Sequence, residues 1–222
     1  MSLGNGEENY FYQSFDEKPD PPHQPLFLKP VLDSLRSDPT VRRVLDAGCG
    51  DGNFAESLAV EGYTVFGIDL SESGIRKAQS RGVGKFERSS LYESFVAPFP
   101  GVDEFDAIVS VEVIEHLYSP RSFVAQAMKS LRPGGLLIVT TPYWGYLKSV
   151  ALAVTNRLDR TLTALWDGGH IKHWSRKTLT TLMEEQGFEF VSFSGDSVRP
   201  IPFLWKGMVM TFRKPNPPAR AS

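Results

Sequence analysis

The chain has 222 residues, with 24 Lys and Arg against 26 Asp and Glu, a formal net charge of −2 and 41% hydrophobic residues. That length suits one globular domain with a sizeable core. The near-neutral charge lacks the basic stripe that nucleic-acid binding usually demands, which weighs against a nucleic-acid partner without excluding one. The longest apolar tract, Val150-Ala151-Leu152-Ala153-Val154, falls far short of the roughly 18 residues of a membrane span. The single cysteine, Cys49, cannot form an internal disulfide, which fits a reducing, cytoplasmic setting.

In chain order, residues 1–24 are polar, with an aromatic patch at Tyr10-Phe11-Tyr12-Gln13-Ser14-Phe15 and a Pro-rich break at 19–22. The acidic start reads as lacking a signal peptide. A helix is predicted over 26–35, with Pro30 inside it and Pro39 beyond its end. A strand over 43–46 and a helix over 53–60 follow, then a strand over 64–69 and a helix to about 81, for which Ser71 is the cap. Gly82 and Gly84 break that helix before a strand over 85–88. The apolar run 105–111 is the fourth strand, and Ser119-Pro120 places an N-cap and a proline at N1 of a helix reaching 131. The fifth strand is 136–140, residues 142–174 form an insertion rich in aromatic and apolar residues, and a helix over 177–186 is stopped by Gly187. Strands over 188–193 and 208–213 close a domain spanning 25–214, and the tail 215–222 is expected to be disordered. Strands alternating with helices imply an α/β fold whose parallel sheet is covered on both faces.

The stretch Val44-Leu45-Asp46-Ala47-Gly48-Cys49-Gly50-Asp51-Gly52 ends an apolar strand in an acid and then sets glycine at every second position before a helix. Such a turn admits a ligand close to the backbone. A dinucleotide site would need G-x-G-x-x-G, and Asn53 stands where the third glycine belongs. Asp51 would also set a negative charge where a diphosphate must lie. The loop resembles motif I of the class I S-adenosylmethionine-dependent methyltransferases. Two further stretches agree with that resemblance: Thr64-Val65-Phe66-Gly67-Ile68-Asp69, an acid-tipped second strand, and Leu131-Arg132-Pro133-Gly134-Gly135, a turn ahead of the fifth. The resemblance implies a three-layer, Rossmann-like, seven-stranded, mostly parallel sheet whose last strand is antiparallel and inserted between strands five and six. It implies S-adenosyl-L-methionine as donor, with contacts from Asp46, Gly48, Cys49, Gly50, Leu70 and Val111. Asp69 would accept from the ribose hydroxyls, or else help cap the helix at Ser71-Glu72. Ser90 and Leu91 fall where the family meets the adenine ring, although an acid is usual there. Tyr12 belongs to a segment resembling the aromatic N-terminal lid of the quinol-type enzymes.

Strand four ends in Glu112, Glu115 and His116 at i, i+3 and i+4, positions that share a face on a helical turn. Downstream, His170 stands four residues before Trp174. The ubiquinone-biosynthesis O-methyltransferases show a similar Glu-x-x-Glu-His. The small-RNA 2′-O-methyltransferases show it together with a later His four residues before a Trp, and there both Glu and both His ligate a divalent ion. That resemblance implies Glu112, Glu115, His116 and His170 as catalytic residues and metal ligands. Two carboxylates beside two imidazoles suit Mn²⁺, Fe²⁺ or Zn²⁺ better than Mg²⁺ alone. The metal-free reading makes His116 the general base. His173 reads as a helix-entry residue, and His23 has no clear role.

The aromatic insertion suits a planar or greasy acceptor, or peripheral contact with a membrane that holds one; a cap over the core or a dimer face would look the same. The expected activity is O-methylation of a small aromatic or quinol-like acceptor by a monomer or homodimer. The alternatives are an RNA 2′-O-methyltransferase, a sugar or amine methyltransferase, and a cofactor-binding subunit without catalysis.

Overall fold

Continuous apolar runs, rather than alternating ones, mark strands buried on both faces, and the central strands here are of that kind. The computed structural model describes residues 24–159, 161–162, 165, 169–196 and 205–217. Its strands are β1 (Arg43–Ala47), β2 (Thr64–Asp69), β3 (Gly84–Arg88), β4 (Phe105–Val111), β5 (Leu131–Pro142), β6 (Glu189–Gly195) and β7 (Gly207–Arg213). They form one seven-stranded sheet in the order β3-β2-β1-β4-β5-β7-β6. The five strands from β3 to β5 run parallel, and β7 lies antiparallel between β5 and β6.

The helices are α1 (Gln24–Arg36), α2 (Asn53–Val60), α3 (Glu72–Ser80), α4 (Pro120–Ser130), α5 (Tyr146–Val154) and α6 (Arg176–Glu185). Alternate residues of each strand supply opposite cores. Val44 and Val65 pack with Phe27, Leu35, Phe54 and Ile75 of α1, α2 and α3. Leu45 and Phe66 pack with Phe123 of α4 and Leu182 of α6 on the other side. This is the three-layer architecture that the sequence predicted. Among the described residues no helix is long and apolar enough to cross a membrane.

Two local expectations are corrected, and one element is added. Pro133-Gly134-Gly135 does not precede β5 but lies inside it: Leu131 pairs with Phe105 and Leu136 with Ala107, so four residues of β5 bulge opposite Asp106 alone. The bulge persists because β7 holds it, Gly134 N–H donating to Lys214 O at 2.9 Å and Lys214 N–H to Gly135 O at 2.9 Å. Ser119 occupies the N-cap of α4, but its hydroxyl makes no cap bond and pairs with Ser122 Oγ at 2.8 Å. Residues 142–174 also contain a helix, α5, which the sequence reading left undivided within the insertion. The N-terminal segment with Tyr12 and the end of the C-terminal tail lie outside the described residues.

The bulge is also the hub of a polar clasp at the sheet's lower edge. Asp106 accepts from the Arg42 and Arg43 N–H groups at 2.9 and 2.7 Å and from Arg132 Nε at 2.9 Å. Arg132 also reaches Asp38 at 3.2 Å and Thr40 Oγ1 at 2.7 Å. Burial raises the Asp38 carboxyl, but the bonds from Thr40 and the Arg132 charge outweigh it and hold Asp38 below the ordinary 3.8. Asp106 is held below it in the same way by the Arg43 and Arg42 N–H groups and Arg132. Groups held low add stability that is present above pH about 4 and lost as pH falls further. Arg132→Met should therefore cost about 1–3 kcal/mol at neutral pH and much less near pH 2, by urea unfolding. An equal cost at both pH values would contradict the clasp.

Candidate functional site

Ligands of open α/β sheets bind beyond the carboxyl ends of the strands, and the singled-out residues collect along that edge. At the end of β1 the chain turns so tightly that Gly48 and Cys49 N–H both donate to Ile68 O of β2, at 2.9 and 3.1 Å. Glycine is required here. Gly48 has φ 87°, and a Cβ on it would lie 2.5 Å from Val113 Cγ2. Gly52, with φ 77°, would bring a Cβ to 2.7 Å from Ala78 Cβ where α2 meets α3. The buried Asp69 carboxylate ties the loop from below, accepting from Gly50 N–H at 2.9 Å and Ser71 N–H at 2.8 Å. Ser71 in turn caps α3 by accepting from Gly74 N–H at 3.0 Å.

Asp46 is 2% exposed, and its Oδ2 has no hydrogen-bond partner. Burial, followed by the charges of Asp69 and Asp51, pushes it up to about 7. Asp51 itself is engaged elsewhere, pairing with Arg81 at 3.1 Å. The Asp51 charge is thus partly offset by Arg81, which the sequence did not show. Burial, followed by Asp46, pushes the Cys49 thiol well up, so no reactive thiolate forms there. The end of β3 is drawn to the same edge by Ser89 N–H bonding to Asp69 O at 3.0 Å. Leu70 O accepts from Arg88 Nε at 3.0 Å, Ser90 Oγ accepts from Tyr92 N–H at 3.2 Å, and Leu91 packs into the core below. Val111, at the tip of β4, is half-buried on the other side of β1.

Beyond β4 the expected shared helical face does not form. Glu112 has φ 55°, in the left-handed region where a residue with a side chain is strained. The helical path begins only at Ile114, as a three-residue 3-10 turn to His116. Thr140 captures Glu112, accepting its N–H and donating to its carboxylate, each at 3.1 Å. Glu115, His116 and His170 do meet, with one ligand atom from each lying within 4.8 Å of the others. His170 Nε2 is 4.0 Å from Glu115 Oε1, and the two imidazole centres are 5.0 Å apart. Three of the four candidate ligands are thus together, and Glu112 is not in the group.

His170 reaches the cluster through the backbone. Ile171 and Lys172 N–H both donate to Glu115 O at 3.0 Å. Trp174 O accepts from Trp144 N–H at 3.0 Å, and Trp174 Nε1 donates to Ile114 O at 3.4 Å. Glu115 is 1% exposed; its Oε2 accepts from Thr141 Oγ1 at 3.0 Å and its Oε1 has no hydrogen-bond partner. Burial, then the Glu112 charge, raises Glu115 well above the ordinary carboxylate value. Burial raises Glu112 to about 7 against the opposing Thr140 bond and the Lys148 charge. Thr140, Thr141 and Lys148 were not singled out from sequence. Two buried hydroxyls ending an apolar strand were a legible sign of the first two; nothing local marks Lys148. His173 lies edge-on to Trp144, with ring centres 4.5 Å apart, outside the cluster.

A family model described as a methyltransferase domain matches residues 23–192. The chain belongs to the methyltransferase-domain family. This methyltransferase is 33% identical over 172 residues to the ubiquinone biosynthesis O-methyltransferase of Thiobacillus denitrificans, covering 74% of this chain and 72% of that protein. Its fold matches magnesium protoporphyrin IX methyltransferase from Synechocystis with bound SAH, at TM-score 0.68 and 16% identity over 94% of this chain and 98% of that one. It also matches the methyltransferase domain of bacterial CtHen1, at TM-score 0.61 and 24% identity over 84% and 96% of the two chains. The methyltransferase is accordingly an S-adenosylmethionine-dependent enzyme.

The raised Asp46 has a measurable consequence in the ligand-free methyltransferase. A folded-state value near 7 against 3.8 unfolded means that the native state binds more protons between those values, so this group's penalty grows as pH rises from about 4 to 7. Asp46→Asn should stabilise the ligand-free protein by an amount on the order of 1–3 kcal/mol at pH 8 and by little at pH 4. Chemical unfolding at the two pH values checks the sign.

Proposed function

We propose that the enzyme transfers the methyl group of S-adenosylmethionine to a hydroxyl oxygen of a small aromatic or quinol-like acceptor, beside a divalent cation held by Glu115, His116 and His170. The observation that carries this reading is the convergence of those three side chains at the end of β4, with a buried Glu115 oxygen left unpartnered. Two imidazoles and a carboxylate are a donor set for Mn²⁺, Fe²⁺ or Zn²⁺, and usable for Mg²⁺. A cation there would lower the pKa of an acceptor hydroxyl near 10. The similarity to the ubiquinone biosynthesis O-methyltransferase of Thiobacillus denitrificans supports oxygen as the acceptor atom.

The donor's fit rests on the loop. Asp46, with its unpartnered Oδ2, matches a cationic ammonium group such as that of the donor's methionine portion. Asp69 has lone pairs left after its backbone bonds, which suit ribose hydroxyls. Leu70, Ser90 and Leu91 border the adenine side. In the transfer the acceptor oxygen bonds to the methyl carbon as the carbon–sulfur bond breaks, and S-adenosylhomocysteine leaves. Glu112, outside the ligand cluster and raised to about 7, takes the hydroxyl proton, since a base works best with a pKa near the operating pH. The remaining rate comes from holding the two substrates in line.

Calorimetry tests the donor half. S-adenosylhomocysteine should bind the wild type, and Asp46→Asn should weaken it about 10–100-fold through loss of a charged hydrogen bond; unchanged affinity removes Asp46 from the site. A methyl-transfer screen over catechols, quinols, amino sugars and short RNA, with and without Mn²⁺ or Mg²⁺, tests the acceptor half. Chelator-treated enzyme should lose about 100-fold in rate on a catechol and regain it with metal, and His170→Ala should abolish that recovery. Full turnover after chelation would sink the metal; turnover of RNA or amino sugar alone would replace the acceptor class.

A further inference from the structure

We propose that the exposed face of α5 is the docking site of the chain's own N-terminal segment, residues 1–23. A surface helix ordinarily turns polar residues to water and apolar ones inward, and α5 does neither. None of its nine residues is buried. Tyr146 is 81% exposed, Leu147 61%, Val150 42% and Val154 82%. Lys148, the one charged residue of the helix, turns inward and donates to Tyr143 O at 2.8 Å and Lys206 O at 3.2 Å. The outer face of α5 is therefore apolar and without charge, a surface that calls for a cover.

The chain supplies a cover of matching chemistry. Residues 142–177, which carry α5, hold six Lys or Arg and two Asp or Glu in a protein whose net charge is −2. Residues 1–23 hold five Asp or Glu and one Lys, and they carry Tyr10, Phe11, Tyr12 and Phe15 within one short run. An acidic, aromatic segment thus complements a basic, apolar one.

The point of departure agrees. Phe27, near the start of α1, packs so closely on Gly207 that a Cβ there would lie 2.4 Å from its ring. Gly207 pairs with Pro142, and the neighbouring Lys206 O accepts from both Tyr143 N–H and Lys148 Nζ. The start of α1, to which residues 1–23 are joined, therefore lies close to the root of α5. Eight residues separate Phe15 from Gln24, a reach of up to about 30 Å extended. The nine-residue α5 is about 14 Å long. The aromatic run reaches the whole face without strain.

Disulfide trapping in the full chain tests the docking. The only native cysteine, Cys49, is buried and does not compete. Under diamide, Phe11→Cys with Val150→Cys should form an intramolecular disulfide at least ten times faster than Phe11→Cys with Val60→Cys, an exposed control at the far end of α2. Adding Glu7→Lys and Glu8→Lys should slow it several-fold at low salt. Val150 is partly exposed, so its substitution leaves the core untouched. Equal rates for the two pairs would overturn the proposal. So would a covalent dimer formed by Val150→Cys alone, which assigns the face to a second copy. Sedimentation of the wild type with phosphatidylglycerol vesicles, lost in Val150→Glu, with no trapped disulfide would assign it to lipid and equally overturn the proposal.

Discussion

The site depends on the tip of β2. The Ile68 carbonyl accepts two successive N–H groups of the glycine loop, and the Asp69 carboxylate accepts a third from Gly50. These bonds fix where the loop stands relative to the strand ends. The same carboxylate starts α3 through Ser71, and the backbone carbonyl of Asp69 draws in the end of β3. A buried carboxylate is tolerated there because backbone N–H groups surround it. Asp46, one strand away, lacks that support. One acid is thus committed to holding the loop, and the other keeps an oxygen available to a ligand.

The second half of the site is organised by another carbonyl. Glu115 O takes two N–H groups from the returning end of the insertion, which sets His170 beside Glu115 and His116. The end of β5 contributes from the opposite side: Thr140 holds Glu112 and Thr141 holds Glu115. The left-handed Glu112 parts the two carboxyls, one joining the imidazoles and the other remaining apart with a value near 7. Two carboxyls in different surroundings can take different roles, one as a ligand and the other as a proton acceptor.

α5 departs from the economy of the rest of the fold. Elsewhere apolar side chains enter one of two cores, while here they stand outward on a helix stapled by a single inward lysine. That staple joins the root of the insertion to β7, whose other end holds the β5 bulge. The antiparallel strand therefore supports both edges of the sheet.

Much of the fold was legible in the sequence. Strand and helix order, the cap at Ser71, the proline that opens α4 and the glycine loop follow from local rules, because periodicity and φ preferences act over a few residues. The acid-tipped second strand was legible for the same reason. What stayed hidden depends on partners far along the chain. Pro133-Gly134-Gly135 looked like a turn because its restraint comes from Lys214. Glu112 looked like part of a helical face because the hydroxyl that captures it lies on Thr140. Asp51 looked like a free charge because Arg81 is thirty residues away. The sequence by itself determined the glycine loop, where a tight turn needs particular residues in a row. Only the tertiary structure decided the cluster of Glu115, His116 and His170, because hydrogen bonds between distant segments bring it together.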